Sequence, residues 1–177
     1  NAGRLRAENI EGQFEMFARS SRVDVRNVTG KRAVLNVYTS TLHLDGLHAA
    51  KIDVEAAASP IVLRDLEGAV RVTAHGGSTQ VRGVRGPLRA STIGGQLSVS
   101  ELTADDVELT ASGGGITIAL PPSAEVDVSL RGRTVHLDPS LPFSGDRDDD
   151  FVEGRLNDGG AALHARAYQG TIRCERA

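Results

Sequence analysis

The chain has 177 residues, 40% of them hydrophobic, and a formal net charge of −3 at pH 7. This length fits one domain spanning residues 1–177, and a single cysteine, Cys174, excludes an internal disulfide framework. The 20 basic and 23 acidic residues are well mixed, without a basic stripe beside aromatic residues, which argues against nucleic acid as a partner. No apolar run approaches the roughly 18 residues that span a bilayer, so we expect a membrane link only through segments outside this chain.

A Leu, Val or Ile residue recurs along the chain at a nearly constant spacing. The landmarks are Ile10, Val28, Leu47, Leu66, Val84, Leu102 and Leu120, at steps of 18 or 19 residues. A fixed period near 20 residues indicates a solenoid, and these landmarks bound six repeat coils over residues 10–120. With aromatic residues at only 3% and 20 glycines, the composition suits a narrow core of stacked, similar layers.

Each coil contains two short segments in which apolar residues alternate with polar ones. The first strands carry Phe14/Met16, Leu35/Val37, Ile52/Val54, Val70/Val72, Leu88/Ala90 and Val107/Leu109, and the second strands carry Val23/Val25, Leu42/Leu44, Ile61/Leu63, Thr79/Val81, Leu97/Val99 and Ile116/Ile118. Period-two alternation predicts strands with one face inward, and corners rich in Gly and Ser separate them. The pattern predicts an all-β, single-stranded parallel β-helix with two short strands per coil of about 18–19 residues.

A left-handed helix of hexapeptides also has 18-residue coils, but it needs an aliphatic residue at every sixth position. In the frame that starts at Leu66, this requirement fails at Ser78, Gln96, Glu108 and Gly114. Because parallel crossovers are almost always right-handed, we expect a right-handed coil.

After Leu120 the repeat becomes less regular. Residues 121–150 are predicted to form a looser coil, with Val126/Val128 and Val135/Leu137 inward, followed by an acidic loop. Residues 151–177 are predicted to form a closing layer through Val152, Leu156, Leu163, Ile172 and Cys174. Since a solenoid exposes strand edges at its ends, we expect this layer and residues 3–10 to act as caps, and removal of residues 151–177 to cause association.

Three stretches carry a resemblance to a known family: the units SGGGITIAL and IGGQLSVSEL, and the ending GRLNDGGAALHARAYQGTIRCE. They resemble the toastrack domain family of bacterial adhesin-type proteins, a family of unknown function, over nearly the whole chain. The resemblance implies a right-handed β-helix, an extracytoplasmic or membrane-associated location, and a scaffold or binding role without enzymatic activity. The chain departs from the family at Gln169-Gly170-Thr171-Ile172, which lacks the usual acidic residue after the glycine.

The outward positions of the two strands of each coil are candidate binding surfaces. In the first strands the outward series is Glu15, Asn36, Asp53, Arg71, Arg89, Glu108 and Asp127, and in the second strands it is Asp24, His43, Val62, Gln80, Ser98, Thr117 and His136. Neither series is the regular Thr, Asp or His ladder that indicates ice or metal binding. Adjacent coils instead predict exposed pairs of Asp53 with Arg71 and of Arg89 with Glu108.

One position further along, Thr73, Ser91, Thr110 and Ser129 are predicted to form a hydroxyl ladder, with Tyr38 near the same line. Two interpretations stay open. The hydroxyl groups can satisfy one another, or they can bind a polysaccharide that also stacks on the aromatic ring.

The remaining chemically active residues predict no cofactor and no metal site. The acidic run Asp146, Asp148, Asp149 and Asp150 lacks the Gly and Glu of an EF-hand, and is expected to be a mobile solvated loop, although cation binding by 146–150 stays open. The five histidines lie far apart in the coil register. Cys174 alternates with Ile172, which predicts a buried and inert thiol.

Together these features predict a non-catalytic β-solenoid that serves protein or cell-envelope contacts. The alternative is a carbohydrate-binding or carbohydrate-active β-helix that uses the Ser/Thr ladder. The start Asn1-Ala2 is typical of a chain from which upstream residues have been removed, and any upstream anchor or signal would have been removed with them. The partner, the oligomeric state and a cytoplasmic alternative location stay open.

Overall fold

A computed structural model describes residues 3–104 and 106–177, and it confirms the predicted β-solenoid of about six turns with parallel stacking. Its strands are β1 (Gly3–Glu11), β2 (Phe14–Arg19), β3 (Ser21–Tyr38), β4 (Thr41–Ala57), β5 (Ile61–Arg85), β6 (Leu88–Thr103), β7 (Asp106–Ser112), β8 (Ile116–Leu120), β9 (Val126–Arg131), β10 (Thr134–Leu137), β11 (Phe143–Arg147), β12 (Phe151–Leu156), β13 (Ala161–Tyr168) and β14 (Thr171–Arg176).

The long strands β3 to β6 bend at corners where the backbone adopts left-handed angles. One corner column, which separates the two strands of a coil, contains Ser20, Thr39, Ala58, Gly76, Gly94, Gly113 and Gln169, with φ between 49° and 72°. A second column, one residue before each landmark, contains Asn9, Asn27, Gly46, Asp65, Gly83 and Glu101. Gly and short polar residues, which tolerate these angles, make up most of both columns. The first column coincides with the predicted corners between the strands, whereas the bends before the landmarks were not predicted.

The apolar pairs predicted to point inward in the six repeat coils are buried, together with Thr79. In the looser coil Val128 and Val135 are buried, whereas Val126 and Leu137 are only half-buried. The register nevertheless corrects one pair. Leu35 lies beside Met16 and Val54, whereas Val37 lies beside Ala18 and Ala56. Each first strand therefore has a third inward position. Alternation alone did not identify this position, because small residues such as Ala18 give a weak apolar signal.

The order of the layers at the C-terminal end also differs from the expected one. Strand β13 pairs in parallel with β7 on one side and with β9 on the other. Strand β14 likewise lies between β8 and β10. Residues 161–176 are therefore inserted between the layer of β7 and β8 and the layer of β9 and β10, although they follow both layers in sequence. The expectation that residues 151–177 form one closing layer is wrong.

Geometry explains how this insertion is possible. Between β8 and β9 the chain must rise by two strand spacings, about 10 Å, which the five residues 121–125 span easily. The space that this rise leaves between the two layers is lined by aliphatic side chains on both sides. Leu163, Ala165, Ile172 and Cys174 fill it and are at most 3% exposed.

The end of the stack is covered by an antiparallel pair rather than by a loop. Strand β12 pairs with β9 and with β11, so the predicted loop Pro139–Asp150 contains a strand, and the acidic run forms the turn of a hairpin. The carbonyl oxygens of Asp149 and Asp150 accept hydrogen bonds from the backbone N–H groups of Val135 and Gly132, at 2.7 and 3.0 Å. These bonds fasten the hairpin across the last coil.

Candidate functional site

The predicted hydroxyl ladder exists over three coils. Thr73 lies beside Ser91, and Ser91 lies beside Thr110, on the adjacent strands β5, β6 and β7. All three side chains are half-buried, and within the described part of the chain none of them makes a side-chain hydrogen bond. The hydroxyl groups therefore do not satisfy one another and remain available to a ligand.

Ser129 does not continue this ladder. The inserted strand β13 places Arg166 beside Thr110, and Arg131 follows on β9. Ser129 instead lies beside His164, one outward position away and separated from β7 by the whole of β13. The prediction failed for two reasons: β13 lies between β7 and β9, and the register places Ser129 in the column of Glu108 rather than in that of Thr110.

Tyr38 lies two residues beyond the ladder position of its own coil. Its column contains Arg19, Tyr38, Ala57, His75, Ile93, Ser112 and Tyr168. The sheet surface formed by this column and by the ladder column is called the first-strand face below.

The first-strand face exposes large apolar side chains that the sequence analysis did not identify. Phe17, Ile93 and Tyr168 are 60%, 51% and 51% exposed. The rings of Phe17 and Tyr38 lie 5.4 Å apart, and the guanidinium of Arg19 lies about 6 Å from both. The alternation of inward and outward positions could have predicted that Phe17 is exposed, because Met16 and Ala18 on either side of it point inward.

At the other end of this face, Arg166 is held against Tyr168. Its guanidinium lies 5.8 Å from the ring, and its NH1 donates to the Tyr168 hydroxyl at 3.3 Å. This hydrogen bond raises the pKa of Arg166 above its ordinary value. Together with Thr110 and Arg131, these side chains line a depression of about 330 Å³.

The two predicted ion pairs have different outcomes. Arg89 and Glu108 form the expected pair at 3.4 Å. Arg71 lies beside Asp53 in the register, but the Asp53 carboxylate pairs with Lys51 at 3.5 Å and Arg32 at 3.8 Å. Such exposed pairs contribute about 0.2–1 kcal/mol, so they help to set the register rather than to hold the fold together.

The two outward series need corrections at three positions. Asn36 lies in the ladder column, and Val34 takes its expected place beside Asp53. Asp127 lies beside Ala162 and not beside Glu108, and Arg173 separates His136 from Thr117. The error at His136 comes from the insertion of β14, and the error at Asp127 comes from the insertion of β13 together with a register that differs by two residues from the expected one.

The residues considered for metal binding do not converge. Within residues 3–104 and 106–177, no group of three or more His, Cys, Asp or Glu side chains could hold a metal ion. The Nδ1 of His48 donates a hydrogen bond to the Glu67 carboxylate at 2.9 Å, and the acidic turn residues Asp148 to Asp150 are exposed.

Cys174 is buried, as predicted, at 1% exposure. Burial, with a smaller effect of the Asp138 and Glu175 charges, raises the pKa of its thiol to about 12. A thiol in this state is a poor nucleophile near neutral pH.

Depressions between the side chains are open to solvent and measure 250–470 Å³.

Comparisons with family models, with curated proteins and with solved structures gave no match. Among the residues that the structure describes, no helix has the length and apolar character needed to cross a bilayer.

Proposed function

We propose that this chain is a non-catalytic interaction module of the adhesin type, which makes protein or cell-envelope contacts through its first-strand face. The observation that carries this proposal is the regular surface that exposes Phe17, Ile93 and Tyr168 between polar side chains. Exposed aromatic and aliphatic side chains on a polar surface are typical anchors of interfaces. The resemblance to toastrack domains supports an envelope setting.

The size of the face sets the strength of binding that we expect. From β2 to β13 it crosses seven strands, about 29 Å, and its strands are about 20 Å long. The resulting area, on the order of 600 Å², is below the about 800 Å² that each partner contributes to a standard stable complex. We therefore expect weak, reversible contacts that gain strength from a repetitive partner or from several copies of the module.

Binding to fractionated bacterial envelopes tests this proposal. The wild type and the variant Phe17→Ser/Ile93→Thr/Tyr168→Ser are compared by co-sedimentation with membrane and cell-wall fractions at about 1 M salt, where the Debye length of about 3 Å screens contacts between exposed charges. A control, Val62→Thr, removes apolar surface from the second strands instead. We expect the triple variant to lose at least about tenfold in binding, since hot-spot aromatic residues each contribute about 2 kcal/mol or more, and the control to keep it.

The proposal is wrong if the wild type sediments with neither fraction, or if the triple variant binds as well as the wild type. Circular dichroism of each variant establishes that the solenoid is folded.

A carbohydrate ligand is the second candidate. It is favoured by the ladder Thr73, Ser91 and Thr110, which leads directly to Arg166 and Tyr168. Hydroxyl groups and an arginine can bond sugar hydroxyl or carboxylate groups, and the exposed ring offers a stacking surface.

An array of bacterial envelope glycans probed with the wild type and with Thr73→Ala/Ser91→Ala/Thr110→Ala separates the two candidates. Binding that the triple alanine variant abolishes supports the carbohydrate candidate. Glycan binding that persists in this variant, or its absence in the wild type, removes the ladder from consideration.

A further inference from the structure

A second surface, formed by the outward side chains of the second strands, carries a cluster of arginines near the N-terminal end of the solenoid. Arg4, Arg22, Arg26 and Arg64 line one depression of about 420 Å³, with His43 at its centre. This cluster is called the basic patch below. Its charge contrasts with the net charge of −3 of the whole chain.

Three of these arginines have no carboxylate partner. Arg4 donates to Asp24 at 3.1 and 3.0 Å, so these two charges are matched. Arg22, Arg26 and Arg64 form no ion pair within 4.0 Å to any residue of the described ranges, and neither does Asp45, which also lines the depression. The patch therefore holds three unmatched positive charges against one unmatched negative charge.

Elsewhere on the surface many arginines are paired with carboxylates. Arg82, Arg89 and Arg131 pair with Glu101, Glu108 and Glu153 respectively. Other arginines of the described ranges, among them Arg71, Arg85 and Arg133, are also outside any ion pair. The basic patch differs from them because three unmatched guanidinium groups line one depression, and such a local excess of charge is complementary to a negatively charged partner.

The arginines of the basic patch spread in two directions. Arg22 and Arg26 lie on one strand, four residues and about 13 Å apart. Arg26 and Arg64 lie two coils apart, with Asp45 between them in the register, which corresponds to about 10 Å. A single extended polymer would follow one row, whereas this arrangement fits a surface on which negative groups repeat in two dimensions.

Among the described residues that line the depression there is no Phe, Tyr or Trp, and the imidazole of His43 is its one ring, so it lacks the series of aromatic side chains on which successive bases of a single-stranded nucleic acid stack. Guanidinium groups form paired hydrogen bonds with phosphate oxygens. We infer that the basic patch docks on an anionic phospholipid surface, with Arg22, Arg26 and Arg64 contacting lipid phosphates. This contact does not involve the first-strand face. It is made by residues of the solenoid itself, unlike the membrane link through outside segments that the sequence analysis expects.

Vesicle co-sedimentation at low ionic strength tests this inference. The probes are phosphatidylcholine vesicles with and without about 30% phosphatidylglycerol, an anionic lipid. The test variant is Arg22→Gln/Arg26→Gln/Arg64→Gln. The control is Arg71→Gln/Arg85→Gln/Arg133→Gln, which removes three exposed arginines that are also outside any ion pair.

Both variants change the net charge equally, so they differ only in where the charge is lost. Each arginine near an anionic surface contributes about 1 kcal/mol, or roughly fivefold in partition. We expect the test variant to lose on the order of 100-fold in binding to anionic vesicles, and the control to lose little. Binding should weaken steeply as salt rises, because the Debye length falls from about 30 Å at 0.01 M to about 10 Å at 0.1 M.

Three outcomes would overturn the inference. The first is equal binding to neutral and anionic vesicles, and the second is an equal loss in the two variants. The third is tighter binding to free inorganic phosphate or to a DNA duplex than to anionic vesicles, which would identify another source of phosphate.

Discussion

Replacing Thr79 by valine should stabilise the solenoid. Thr79 is 1% exposed and lies beside Leu97, which is followed by Ile116 in the same inward column. Its Oγ1 has no hydrogen-bond partner among the described protein atoms. A buried, unsatisfied hydroxyl costs about 1–3 kcal/mol, and valine has nearly the same shape without this group.

We therefore expect Thr79→Val to raise the free energy of unfolding by about 1–3 kcal/mol, and the melting temperature by about 2–4 °C for each kcal/mol. Equilibrium urea unfolding of both proteins measures the difference, provided that the m-value is unchanged. Thr79→Ser is the matched control, because it keeps the hydroxyl and loses a buried methyl group. It should destabilise the fold by about 1 kcal/mol. A valine variant that is no more stable than the wild type would refute the reasoning, and would mean that the hydroxyl is satisfied in solution.

Three further predictions concern the corners, the inserted strands and the thiol. A Cβ at Gly114 would overlap the carbonyl oxygen of Gly95, so Gly114→Ala should lower stability by about 1–3 kcal/mol, and unchanged urea unfolding would contradict the tight corner stacking. Ending the chain at Gly160 removes both inserted strands, so residues 126–156 should lose hydrogen-exchange protection and the protein should associate. A truncated protein that keeps this protection and is a monomer by light scattering would argue against the layer order. Raising the pKa of Cys174 to about 12 from an ordinary value of 9.0 means that the folded state keeps a proton that the unfolded state loses. Stability due to this group should therefore fall by about 1 kcal/mol per pH unit above pH 9, measured as the difference between the wild type and Cys174→Ala, and a difference that is constant with pH would contradict it.

The inward and outward positions within each strand could be predicted from the sequence. Alternation of the kind seen at Ile52 and Val54 depends on strand geometry alone, and the residues assigned to the core in this way are buried, except for the half-buried Val126 and Leu137 of the looser coil. Corner positions could be predicted for the same reason, since glycine and serine mark backbone bends locally. The length of each strand was harder to predict, because alanines such as Ala33 and Ala111 pack inward without a strong apolar signal.

The candidate surface could be predicted only in part. Thr73, Ser91 and Thr110 are aligned because three consecutive coils of equal length keep the same register. Arg166 and Tyr168 could not be placed beside them, because their coil lies far away in sequence. The basic patch was also missed, since an even mixture of charges along the chain conceals a local excess that arises when strands stack.

By itself, the sequence determined the period, the strands, their inward faces and the corners, because these features follow from interactions among residues close together in the chain. Only the tertiary structure decided the order of the last layers. Aliphatic layers of equal width can stack on one another in more than one order, and local patterns do not distinguish these orders. The choice depends on how far residues 121–125 can reach, and on the hairpin of β11 and β12 that covers the final edge. That choice places β13 between β7 and β9, which brings Arg166 into the hydroxyl ladder, and the register of β9 on β13 leaves Ser129 outside it.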